Sequence, residues 1–234
     1  MSALVTPTAA RWLKAAIKKF SSTVPAPVSG YWKGLTDAEL WAAVLGQISV
    51  VGGANSGERL KSELAVDLTE WYQTLRRSTP AARLKLIHSR LRGAGVRYVT
   101  DSPENCKKSI AAAYNFDLLE TYGGPMRYFT DIAGVPEEAW RVGIIADEMQ
   151  YIRSKGARDL LIGLGLAENA IALDSRLQAV LTKSGISLPT DLATNRVKYK
   201  SLERELLSKV CKPCSISGAH FDRILFNKWQ EVIA

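Results

Sequence analysis

The sequence predicts an all-α protein, on three observations. Apolar residues recur every three or four positions in one segment after another, the spacing that lines one face of a helix. Proline, glycine and capping residues punctuate those segments where helices start and stop. The only β-like fragments, "QISVV" at 47–51 and "VRYVT" at 96–100, are too short to support a sheet without partners.

The first clear element is "TDAELWAAVLGQI". Thr36 stands as its N-cap with Glu39 three residues on, the reciprocal capping pattern, and Leu40, Val44 and Leu45 share one face. Further helices read from "GERLKSELAVDLTEWYQTLRR", "PAARLKLIHSRLRGAG", "PENCKKSIAAAYNFDLLETY" and "PEEAWRVGIIADEMQYI", each opened by a Pro, Ser, Asn or Gly signal. The turns "GGPM", "AGVP" and "SGISLP" punctuate the chain. Two more helices read from "KGARDLLIGLGL", led by Lys155, and "SRLQAVLTKSG", opened by Asp174. No repeat of fixed period argues for a solenoid. A division into two lobes is expected, one over 36–150 and one made of 1–35 with 151–234.

Composition bounds the function. The chain has 234 residues, 47% hydrophobic and 23% charged, enough apolar material for a substantial core. No run approaches the roughly 20 apolar residues of a membrane span, and the N-terminal stretch lacks the order of a secretory signal. The expectation is therefore no membrane, and a place in the cytoplasm or nucleoid, or in the nucleus of a eukaryote. A net charge of +8 favours a polyanionic partner, nucleic acid first. Three cysteines cannot all pair within the chain. Cys211 and Cys214 have a C-x-x-C spacing, but only Cys106, His88 and His220 remain to complete a four-ligand zinc site, so neither metal nor cofactor is expected.

Lys155 and Asp174 carry the chemistry. Lys155 opens an apolar helix, where the amide dipoles and partial burial both disfavour a positive charge and so lower the expected pKa. An amine less often protonated can attack an electrophilic carbon and go on to a Schiff base. Asp174 follows 174 − 155 = 19 positions later as a helix cap, a carboxylate held ionised that can stabilise a developing cation. The tight link "LAENAIAL" would let the two helices fold back toward one cleft.

The order of helix, tight turn, lysine-led helix, short link and "LDSRL" resembles the helix-hairpin-helix DNA glycosylases, in particular the lysine-containing bifunctional members that remove oxidised guanine. The likeness rests mainly on residues 149–185. It implies a two-lobed helical architecture, Lys155 as nucleophile and Asp174 as catalytic carboxylate. "LWAAVLGQISVVGGANSGERL" is similar to a family segment that faces the minor groove, which makes Gln47 a gap-filler for a flipped nucleotide. "GAGVRYVTDSPENCKKSIAAAYNF" is similar to the family's Arg-aromatic stretch followed by a basic helix, and "SGAHFDRILFNKWQ" to the closing helix of the base pocket, with Phe226 and Trp229 as stacking candidates. Arg153, Ser154, Arg158 and Lys183 are candidate phosphate contacts, and Arg176 is placed to orient the aspartate or the backbone.

One departure stands out. Hairpins of this family carry a glycine pattern that lets amides approach a phosphate, and here the aligned residues are "MQYIRSK", without glycine's tolerance of positive φ. A rebuilt hairpin is expected, with Arg153 and Ser154 reaching the phosphate through side chains. The four-cysteine iron–sulfur cluster of some relatives cannot be supplied by three cysteines. The activity implied is removal of 8-oxoguanine from double-stranded DNA by base flipping and a lysine Schiff base, followed by β-elimination, from a monomer. Two alternatives are a non-catalytic helical DNA-binding module and a monofunctional glycosylase in which Asp174 activates water.

Overall fold

The computed structural model describes residues 4–51 and 53–234; Met1–Ala3 of the N-terminal stretch and Gly52 of the Gln47 segment lie outside the described residues. Among these the regular structure is helical, as the sequence predicts. The chain divides into a central unit, residues 31–160, and a terminal unit of 1–30 with 161–234.

The first helix of the chain, α1 (Pro7–Phe20), belongs to the terminal unit, so the α-helices of the central unit begin at Asp37. Its helices are α2 (Asp37–Ser49), α3 (Ala54–Arg77), α4 (Pro80–Gly93), α5 (Lys107–Thr121), α6 (Pro125–Gly134), α7 (Glu138–Glu148) and the start of α8 (Ser154–Gly163). The capping box forms as read: Glu39 N donates to Thr36 Oγ1 at 3.3 Å and Thr36 N to Glu39 Oε2 at 2.7 Å. α3 is bent at Asp67, whose φ of −141° is not helical, and Arg90 of α4 holds both carboxylate oxygens at 3.0 and 2.7 Å. Trp41, Tyr72 and Phe116 meet edge-on or tilted in the core, with centroids 5.1 and 5.5 Å apart around Phe116.

"QISVV" covers the end of α2, and no sheet forms there among the described residues. One local reading is revised: "GGPM" is the start of α6 and not only a turn. Gly124 takes φ +121°, Pro125 fills the first helical position, and Met126 N donates to Asp37 Oδ1 at 2.6 Å. The α6 start is thus capped by a carboxylate from α2, which no local pattern announces.

The terminal unit contains α1, α9 (Ser175–Lys183), α10 (Arg196–Leu206) and α11 (Gly218–Ile233). Their apolar faces close one core that includes Leu13, Ile17, Leu177, Leu181, Leu202 and Phe221. The division falls at 160/161, inside α8, and not at 150/151; the hairpin residues and Lys155 therefore belong to the central unit. No described helix is long and apolar enough to cross a membrane.

Candidate active site

In the central unit, residues 149–153 link α7 to α8. Tyr151 has φ +66°, the left-handed conformation that glycine takes without cost. A side chain in that region costs about 1–2 kcal/mol, so something must hold it there. Asn115 of α5, fully buried, does so: its Nδ2 donates to Gln150 O at 2.9 Å and its Oδ1 accepts from Gln150 N at 2.8 Å. The neighbouring Ile152 is buried, and Ala157 N bonds Arg153 O at 2.8 Å to start the helix.

Lys155 stands in the first turn of α8, with its side chain 39% exposed, and its Nζ donates to a carboxylate oxygen of Asp159 one turn on. Gly156 follows. A Cβ there would lie 3.1 Å from Gln47 Nε2 and 3.4 Å from Ile152 Cγ2, so the missing side chain is what lets the Gln47 amide lie against the lysine's turn. Gln47 and Lys155 are thereby brought to one place within the central unit. Arg153 is exposed and Ser154 half-buried.

Arg158 is corrected. It is 2% exposed and its Nη1 donates to Ser154 O at 3.0 Å, so it supports the turn from inside instead of meeting phosphate. An internal guanidinium needs such acceptors to offset its lost hydration.

Behind Gln47, the fully buried Lys108 donates to Ser49 O at 3.1 Å and Val51 O at 2.7 Å, holding the end of α2. Burial pushes this amine down to about 8. Above it Tyr98, 71% exposed, takes φ +62°, and the Arg97 side chain lies 3.5 Å from where a Cβ on Gly53 would stand.

In the terminal unit, Asp174 caps α9 as read, its Oδ1 accepting from Leu177 N at 2.8 Å. The three residues before it are held by three buried side chains. Ile171 N donates to Glu203 Oε1 at 2.9 Å, Ala172 N to Asp222 Oδ2 at 2.6 Å and Leu173 N to Tyr199 Oη at 2.7 Å. Asp174 is thus fixed by its own cap and by the anchored segment leading to it.

Arg176 lies over the Phe226 ring, 4.2 Å from its centroid, and Phe226 is exposed. Trp229 differs: it is half-buried and packs against the core, so the open aromatic face on α11 is Phe226. Lys183 is exposed in the last turn of α9. A cavity of about 290 Å³ opens among Ser29, Gly165, Glu168, Ser215, Ser217 and His220, with neither Phe226 nor Trp229 in its lining. Burial pushes the Cys211 thiol up to about 12 and raises Cys214, the state of inert thiols.

Solved structures decide the fold. The 8-oxoguanine DNA glycosylase of Thermotoga maritima matches with a TM-score of 0.64 at 17% identity, covering 92% of this chain and 91% of that one. That of Methanocaldococcus jannaschii matches with a TM-score of 0.64 at 13% identity over 92% and 84% of the two chains. The same archaeon's 8-oxoguanine glycosylase/lyase, solved with a 15mer DNA containing 8-oxoguanine, gives 0.63 at 14% over 95% and 91%. This chain has the fold of these 8-oxoguanine DNA glycosylases. No protein-family model matches its sequence, and no curated protein is similar to it at a significant level. At these identities the likeness is one of fold.

On this glycosylase fold, the residues around these positions that sequence reasoning did not single out are Asp159, Asn115 and Lys108. Asp159 left a local signal, the i, i+4 spacing from Lys155 on one helix face. Asn115 and Lys108 act across the sequence, while Tyr98 lies in the stretch read as Arg-aromatic.

Proposed function

We propose that this protein is a base-excision DNA glycosylase that removes an oxidised purine, 8-oxoguanine first, and then nicks the strand. The observation that carries the reading is the match of fold along nearly the whole chain to three glycosylase structures, one of them with 8-oxoguanine DNA. The net charge of +8 supports a polyanionic partner, double-stranded DNA. The protein acts as a monomer where its DNA lies, in the cytoplasm, the nucleoid or a nucleus.

The target nucleotide leaves the stack, because C1′ of its sugar cannot be reached inside a duplex. Lys155, as the free amine, attacks C1′, the N-glycosidic bond breaks, and its electron pair leaves with the base. Asp174, an anion fixed at the cap of α9, stabilises positive charge on the sugar. Opening of the sugar ring gives a Schiff base to Lys155, and β-elimination then breaks the 3′ C–O bond.

Gln47, beside the lysine's turn, and the exposed Tyr98 are assigned to fill the space the nucleotide leaves. Arg153, Ser154 and Lys183 contact phosphates. Phe226 under Arg176 is the stacking face offered to the base.

The test is a duplex carrying one 8-oxoguanine. Free base and a nicked strand are expected. Free base without the nick assigns water, and not Lys155, as nucleophile, and binding without either product leaves a DNA-binding module.

A further inference from the structure

Lys155 cannot attack C1′ as an ammonium; it must first lose a proton. The group in contact with its Nζ is the carboxylate of Asp159, one turn further along α8. Ordinary helix energetics give only a weak reason for this pair. A cation in a first turn opposes the helix dipole, and a lysine preceding its acidic partner by four is the weaker order of the two. As a surface ion pair it would contribute about 0.3–0.5 kcal/mol. The two side chains are also partly withdrawn from solvent, 39% and 28% exposed. The side chains that meet Gly156 beside the pair, Gln47 and Ile152, carry no charge, and Arg158 donates one of its N–H groups, from Nη1, to Ser154 O.

Resting on the glycosylase reading, we propose that Asp159 is a catalytic residue, the base that takes the proton from the Lys155 ammonium. The step is balanced. One N–H proton moves from Nζ to the Asp159 carboxylate, leaving a neutral amine and a carboxylic acid. The amine lone pair forms the N–C1′ bond while the N-glycosidic bond breaks toward the base. The departing base anion takes up the proton that Asp159 holds, and the carboxylate is restored. When the C1′–O4′ bond then opens, one of the two aminium protons passes to O4′, and the iminium that keeps the other is left on Lys155. Asp159 thus serves proton transfer, and Asp174 the cation.

The experiment measures single-turnover formation of the borohydride-trapped adduct on an 8-oxoguanine duplex, from about pH 6 to about pH 10, for the wild type, Asp159→Asn and Asp159→Ala. Near pH 7 the Asp159→Asn rate is expected to fall about a hundredfold, and the gap to the wild type to narrow as pH rises and hydroxide takes over removal of the proton. Added formate is expected to rescue Asp159→Ala and to leave the wild type unchanged. Duplex affinity of both variants reports folding separately. An Asp159→Asn profile parallel to the wild type and within about threefold of it overturns the proposal, as does failure of formate to rescue a folded, DNA-binding Asp159→Ala. If the wild type itself forms no adduct, the lysine chemistry fails with it, and the wild-type arm alone reveals that.

Discussion

Replacing Asn115 by alanine removes two hydrogen bonds at once. Asn115 is fully buried and closes a pair with the Gln150 backbone, at 2.9 Å to the carbonyl and 2.8 Å from the amide. Neutral hydrogen bonds of this kind contribute about 1 kcal/mol each, so about 2 kcal/mol is lost. Part of it returns when Tyr151, released from φ +66°, relaxes out of the left-handed region. The net cost expected in urea unfolding is about 1–2 kcal/mol, which leaves the protein folded. The larger effect falls on the start of α8. A displacement of the Lys155 turn by about 1 Å lowers a reaction that depends on alignment by about a hundredfold. The expected signature is a small stability loss with a large loss of single-turnover adduct formation on duplex DNA. An Asn115→Ala protein that is destabilised by this amount yet reacts at the wild-type rate would refute the view that the α5 contact positions the lysine.

Three further outcomes follow from the same geometry. Gly156→Ala gains about 1 kcal/mol of helix propensity while its Cβ pushes on Gln47, so melting is expected to be unchanged or slightly raised as base excision falls; equal activity contradicts the contact. For Lys108, held down to about 8, the folded amine is neutral between about pH 8 and about pH 10.5 where the unfolded one is still charged, so stability relative to Lys108→Met rises by up to about 3 kcal/mol across that window, and a flat difference would remove the buried-charge account. Phe226→Ala is expected to change stability by about 0.5 kcal/mol or less and weaken duplex binding, whereas Trp229→Ala costs about 2 kcal/mol in unfolding with little direct effect on DNA; the reverse ranking sinks the assignment of the exposed face to Phe226.

What was legible in the sequence was local. The Thr36–Glu39 capping box and the Asp174 cap depend on residues three apart, and both form as read. Helix after helix follows from the apolar spacing. The start of α6 escaped because its cap comes from Asp37, 89 positions away, while Gly-Gly-Pro reads equally well as a turn. Arg158 escaped for a related reason: a lone arginine in a helix is ordinarily solvated, and only tertiary packing turns it inward onto Ser154. The link 149–153 bends without a glycine, since Asn115 braces from another helix a conformation that Tyr151 does not favour. The carboxylate that meets Lys155 lies four positions on, in plain view on the same helix face.

As nucleophile, Lys155 forms a covalent bond to the sugar of a damaged nucleotide. Borohydride trapping of the wild type and Lys155→Gln on a duplex with a single 8-oxoguanine, with the cross-linked peptide identified by mass spectrometry, tests that bond. A stable protein–DNA adduct at Lys155, absent from a folded Lys155→Gln that still binds the duplex, is expected. An adduct mapped to another amine, or none from folded wild-type protein on either 8-oxoguanine or an abasic site, would contradict it.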